Sequence, residues 1–145
     1  MKIYFAGSIT GGRDDKDLYA QIIKILGNFG IVLTEHIGNV NLTSQGEAAM
    51  GRTPEYIFSR DVAWVSEADA LVGELTVTSL GVGYELGFAE SLGKPILCLY
   101  RKAEGRHLSS MITGNIKLKI EYYQNIEELP AIFEKFFSGV KQIHE

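Results

Sequence analysis

Five apolar runs punctuate the chain: Lys2 to Ala6, Ile31 to Glu35, Ala70 to Glu74, Pro95 to Tyr100 and Ile116 to Tyr122. Each is short and rich in aliphatic and aromatic residues, the pattern of strands buried on both faces of a parallel sheet. Between them lie segments of helical character with recognisable ends. The first begins after Arg13 among Asp14, Asp15 and Asp17, and stops near Gly27. The second has Thr53 as cap, Pro54 at its first position and Glu55 in its first turn. A third is expected to follow Gly83 and to end near Gly93. A short helix is expected from Leu108 to Thr113, with His107 standing where a capping residue belongs, and Asn125 with Glu127 and Glu128 announces the last. The alternation predicts one α/β domain over residues 1–145, a parallel sheet covered on both faces with ligands beyond the carboxyl ends of its strands.

That rule selects the loops Gly7 to Arg13, His36 to Arg52, Leu75 to Gly83 and Arg101 to Arg106. The second is long and polar, as a lid or mobile binding segment would be. Ser79-Leu80-Gly81-Val82-Gly83-Tyr84-Glu85-Leu86-Gly87 seats Glu85 just after a glycine-rich turn, where a helix is expected to start. Unpaired N–H groups and the positive end of the helix dipole would keep such a carboxylate ionised. The plainer alternative is a solvated acidic residue in a first turn, but Leu86, Phe88 and Ala89 argue for a packed helix. Asp61 falls at helical spacing with Ile57, Trp64, Val65 and Ala68, which puts a carboxylate on the stripe facing the core. It must then find partners or change its pKa, either as a structural carboxylate or as a proton donor beside Glu85. Gly7-Ser8-Ile9-Thr10-Gly11-Gly12-Arg13 offers N–H groups, hydroxyls and a guanidinium to an anion, but it is neither a Walker loop nor a dinucleotide fingerprint. A tight connection is its other reading. Tyr4 reads alternatively as a core tyrosine, and His36 as a structural histidine at the ligand edge.

Composition narrows the classes. With 145 residues, 46% hydrophobic, the chain is long enough for a single core. A net charge of −4 argues against a duplex nucleic-acid surface, although one phosphate can still be bound by local donors. The single cysteine, Cys98, lies in an apolar run and permits no internal disulfide. The three histidines show no metal-ligand spacing, so neither metal nor other cofactor is expected. No apolar run approaches the roughly 18 residues of a membrane span, and Met1-Lys2 passes directly into a strand-like run, so a cytoplasmic protein is expected.

Taken in order, Tyr4-Phe5-Ala6-Gly7-Ser8-Ile9 with Gly11-Gly12-Arg13, Leu33-Thr34-Glu35-His36, Asp61, Ser79 to Gly87, and Gly105-Arg106-His107-Leu108-Ser109 with Met111-Ile112 resemble the nucleoside 2-deoxyribosyltransferase superfamily. The likeness is strongest to its 2'-deoxynucleoside 5'-monophosphate N-glycosidase branch and extends to about Gly114. It implies a flavodoxin-like fold, a nucleophilic Glu85, an Asp61 that assists base departure, and a Tyr4 that orients nucleophile or sugar. It further implies substrate contacts from Gly7, Ser8, Ile9, Arg13, His36, Ser79, Gly81, Ser109 and Met111, and a homodimer in which Ser109 reaches the neighbouring site. Transferases of the superfamily typically place an acidic residue near the 5'-hydroxyl, with an asparagine from a neighbouring subunit. Ser79 and Ser109 stand at those positions here and would accept a phosphate that a carboxylate would repel. Thr10 departs from the pattern, which tends to carry arginine there, and Arg13 is the local substitute. The rivals are a base-exchanging transferase, a ribonucleotide hydrolase, which bulky Ile9 weakly disfavours, and a receiver-like module without activity. The last would need acidic residues after the first strand and an aspartate closing the third, where this chain has Ala6-Gly7-Ser8 and Glu74.

Overall fold

The computed structural model describes residues 1–9, 15–34, 47, 51–103 and 105–143. Their order is β1 (Lys2–Ala6), α1 (Lys16–Leu26), β2 (Ile31–Val32), α2 (Pro54–Glu67), β3 (Ala70–Glu74), α3 (Leu80–Ser91), β4 (Ile96–Tyr100), α4 (Ser110–Thr113), β5 (Lys119–Tyr122) and α5 (Leu129–Ile143), the last preceded by a 3-10 turn over Ile126–Glu128. The five strands are all parallel and run in the order β2-β1-β3-β4-β5, a flavodoxin-like arrangement. The order reverses direction between β1 and β3, and a crevice opens at such a point beyond the strand ends.

Alternation along the strands divides the core between two layers. Ile3, Phe5, Ala70, Val72, Leu97 and Leu99 pack against α1 and α5, while Tyr4, Ala6, Leu71, Ile96 and Cys98 face α2 and α3. Cys98 is fully buried, and burial pushes its thiol up to about 12, so it packs as a small apolar group. Neighbouring strand residues therefore serve opposite sides of the sheet, a division that places Tyr4 with α3 and Glu74 with α1.

Several expected boundaries move, each for a local reason. Thr53 caps α2 as expected, accepting from the Tyr56 N–H at 3.1 Å, with Pro54 first in the helix. α3 starts at Leu80 rather than after Gly83, because the Ser79 hydroxyl accepts from the Val82 N–H at 3.3 Å and closes the first turn earlier. The β2 ladder ends at Val32; beyond it the Thr34 hydroxyl donates to the Phe5 carbonyl at 2.6 Å and accepts from the Phe5 N–H at 2.9 Å. β5 is shorter than expected, since Asn115 turns the chain by accepting from the Lys117 N–H at 3.0 Å and leaves Ile116 outside the sheet. Ser109 rather than His107 caps α4, and Leu108 stays outside it.

Two glycines give a test of this packing. A Cβ on Gly30 would stand 2.4 Å from the Met1 carbonyl oxygen, whereas one on Gly139, within α5, meets nothing within 4 Å. Denaturant unfolding should show Gly139→Ala more stable than wild type by about 0.5–1 kcal/mol. Gly30→Ala should lose at least about 1 kcal/mol, because rigid backbone cannot yield there.

Candidate active site

Glu85 is the sixth residue of α3, beyond the first turn, so the dipole and free N–H groups of a helix start do not hold it ionised as its sequence context suggested. Its environment does the opposite. Burial pushes the Glu85 carboxyl up to about 7, Asp61 adds to the rise, and the Tyr4 hydrogen bond with the Arg60 charge opposes it. Tyr4 projects from β1 into the same layer and donates its hydroxyl to Glu85 Oε1 at 2.8 Å. Tyr4 is thus both the core tyrosine and the partner of the carboxylate, and burial next to the Glu85 and Asp61 charges raises its pKa far enough to keep it a donor. A neutral donor fixed on one oxygen leaves the other available for attack on an electrophile.

Asp61 lies one layer out on α2. Its side chain is 20% exposed, so it lines a cleft rather than the core its spacing indicated. Arg60 donates to Asp61 Oδ1 from Nε at 2.9 Å and lies 2.8 Å from it through Nη2. Burial raises the Asp61 pKa, and the Arg60 hydrogen bond and charge act against that rise. The same guanidinium donates to both Glu47 oxygens at 2.5 and 2.7 Å and lies over the Trp64 ring at 4.7 Å. This network was not singled out in the sequence. The signal was present, for Tyr56, Arg60 and Trp64 recur every four residues and so share one face of α2.

Glu85, Asp61 and Gly81 line a cleft of about 390 Å³ between α2 and α3, walled by Ile57, Phe58 and Tyr84. The Phe58 and Tyr84 rings stand 6.1 Å apart at its mouth. Such a site joins two carboxyl groups of raised pKa to apolar and aromatic walls, suited to a flat, weakly polar group beside a reacting carbon.

The other expected contacts distribute differently. Ser79, Ser109 and Met111 line a second cleft of about 860 Å³ on the far side of the α3 start, together with Arg106 and His107. Ser109 is exposed and Met111 is 82% exposed, so within one chain they are separated from the Glu85 cleft. Gly7 and Ser8 are buried at the end of β1, where a Cβ on Gly7 would press on the Tyr19 ring at 3.1 Å. Ile9 packs against the α1 and α5 side of the core. Thr10, Arg13 and His36 lie outside the described residues, as does most of the expected lid between His36 and Arg52. Among the described residues no group of three His, Cys, Asp or Glu side chains is arranged to hold a metal, and no helix is long and apolar enough to cross a membrane.

Comparison with known proteins gives the chain its family. The 5-hydroxymethyl-dUMP N-hydrolase of Mus musculus is 54% identical over 94% of this chain and 80% of its own length. The protein of that name from Esox lucius is 41% identical, over 98% and 99% respectively. Among solved structures, a CMP N-glycosidase of Clostridium botulinum superposes with a TM-score of 0.62 over 92% of this chain and 99% of its own, at 15% identity that speaks for the fold alone. The family described as nucleoside 2-deoxyribosyltransferase matches residues 3–126. On that match, and on the identity with its relatives, the chain belongs to the nucleoside 2-deoxyribosyltransferase family.

Proposed function

We propose that this chain is an N-glycosidase that hydrolyses 2'-deoxynucleoside 5'-monophosphates to a free base and 2-deoxyribose 5-phosphate. The observation that carries the reading is the half-buried Glu85, held by the Tyr4 hydroxyl at 2.8 Å in the same cleft as Asp61. The names of the N-hydrolase relatives support the substrate class. In the first step a Glu85 oxygen bonds to the anomeric carbon as the N-glycosidic bond breaks, and its electron pair leaves with the base. Asp61 eases that departure by protonating or hydrogen-bonding the base, for which its raised pKa equips it. The sugar passes through oxocarbenium character, which the Glu85 charge stabilises. Water then attacks the same carbon and gives up a proton to the Asp61 carboxylate or to solvent, the ester breaks, and Glu85 is regenerated as a carboxylate.

The 5'-phosphate, in this reading, is met by hydroxyls of Ser8, Ser79 and the Ser109 of a neighbouring subunit. The exposed apolar residues Leu80, 94% exposed, and Met111 flank the serine-bearing cleft, as a homodimer face would require. Its acidic composition and lone buried cysteine fit a cytoplasmic enzyme.

Chromatography of products from a panel of deoxynucleoside and ribonucleoside monophosphates should reveal base release from the deoxy series. No release from any member would overturn the reading. Glu85→Gln should abolish release while preserving the fold. Asp61→Asn should lower turnover about 10²-fold or more, the scale of general acid catalysis. Retained turnover in folded Glu85→Gln would remove it as nucleophile.

The pH dependence follows from the raised carboxyl. Attack requires ionised Glu85, so kcat/KM should rise with pH along an acid limb near pH 7, set by a group displaced to about 7. Tyr4→Phe removes a hydrogen bond that lowers this pKa, so the limb should move to higher pH. Stability runs the other way. A carboxyl that holds its proton more tightly folded than unfolded stabilises fully below about 4.5, its ordinary value, and loses that contribution as pH rises through about 7. Glu85→Gln should therefore melt higher than wild type at pH 8 and lose this advantage at pH 4.

Ser109→Ala should raise KM for monophosphates by about tenfold, the worth of one charge-assisted hydrogen bond, while hardly altering turnover of the unphosphorylated nucleoside. Inactive Glu85→Gln mixed with inactive Ser109→Glu should recover about a quarter of wild-type activity after random exchange between two-fold dimers. Full activity in a sedimenting monomer would contradict the shared site.

A further inference from the structure

A second set of polar side chains lies at the carboxyl edge of the sheet, on the face away from Glu85. Alternate β3 residues Ala70 and Val72 pack towards α1 and α5, and Glu74 continues that register. It is fully buried. Glu74 Oε1 accepts from the Thr76 N–H at 3.3 Å and also from the Thr76 hydroxyl. The Thr76 oxygen in turn accepts from the Arg101 N–H at 3.0 Å, and the Arg101 guanidinium pairs with Asp15. Glu74 Oε2 has no hydrogen-bond partner among the described residues.

A buried carboxylate with a free oxygen is a costly way to join two strand ends, since an apolar contact would do so without desolvating charge. Burial pushes Glu74 up to about 7, against the Thr76 hydrogen bond and the Arg101 charge. What distinguishes the set is where its members sit. Asp15 lies where the β1–α1 connection that starts with Gly7 and Ser8 meets α1, Thr76 belongs to the β3–α3 connection ending at Ser79, and Arg101 opens the β4–α4 connection ending at Ser109. Thr76 also lines the same cleft as Ser79 and Ser109.

We propose that Glu74 is a positioning residue for phosphate recognition: by gripping Thr76, and through it Arg101, it fixes the connections that present Ser79 to the 5'-phosphate in its own site and Ser109 to the 5'-phosphate in the neighbouring subunit's site. It works from the opposite face of the sheet and takes no part in the chemistry at the anomeric carbon. The role rests on the phosphate reading given above.

Steady-state kinetics on a deoxynucleoside monophosphate and its unphosphorylated nucleoside test it. Glu74→Ala should raise KM for the monophosphate about tenfold, the scale of one charge-assisted hydrogen bond, with kcat little changed and kcat/KM for the nucleoside preserved. Glu74→Gln keeps an acceptor for Thr76 and should stay close to wild type. Thr76→Val should reproduce the loss and Thr76→Ser should restore it, a pair that decides the matter if Glu74→Ala does not fold. Equal losses on both substrates, a fall in kcat alone, or an unchanged KM in Thr76→Val would overturn the positioning role. Wild-type enzyme with no preference for the monophosphate would instead overturn the phosphate reading itself, and the role of Glu74 with it.

Discussion

The hydrogen bond from Tyr4 to Glu85 ties β1 to α3, the helix that follows the neighbouring strand β3, and the proposed chemistry depends on it. A carboxyl in this position is poorly hydrated, and burial alone would leave it largely protonated at neutral pH. One donor on one oxygen offsets part of that penalty and sets the direction of the other oxygen. It also explains a fully buried tyrosine among the buried β1 residues Ile3, Phe5 and Ala6, for the hydroxyl is satisfied by the group it orients.

Tyr4 and Glu85 meet because of topology. β1 and β3 are adjacent, and the chain leaves β3 towards α3 on the side where Tyr4 points. Alternation then sends Glu74 to the other face, so two glutamates of similarly raised pKa occupy different surroundings. Glu85 has an open cleft and Asp61 beside it; Glu74 is fully buried, with Thr76 bonded to it and the Arg101 and Asp15 charges acting on it. Environment separates a candidate nucleophile from a candidate scaffold residue.

The alternating architecture was legible in the chain because each strand is a dense apolar run and Thr53-Pro54-Glu55 is an unambiguous helix start. Gly81 and Gly83 resemble a turn and so delay the expected start of α3, while the deciding contact, from the Val82 N–H to the Ser79 hydroxyl, closes the first helical turn across Gly81. Spacing marks Asp61 as a carboxylate that must find a partner, but it does not say that the partner is the adjacent Arg60 or that Asp61 lies at a cleft wall. Nor could sequence separate the two clefts at the α3 start, one lined by α2 against α3 and the other by the connections that follow β3 and β4. The part proposed for Ser109 rests on resemblance, and within one chain that residue stands apart from Glu85.

The central claim is that the sugar is carried on Glu85 between base departure and hydrolysis. Running the reaction in aqueous methanol and assigning the methyl 2-deoxyriboside 5-phosphate by NMR tests it directly, since methanol intercepts the sugar at the anomeric carbon. Two displacements through Glu85 predict the β anomer, with the configuration of the substrate retained. The α anomer, or a mixture of both, would mean that solvent attacks without a glycosyl ester on the enzyme.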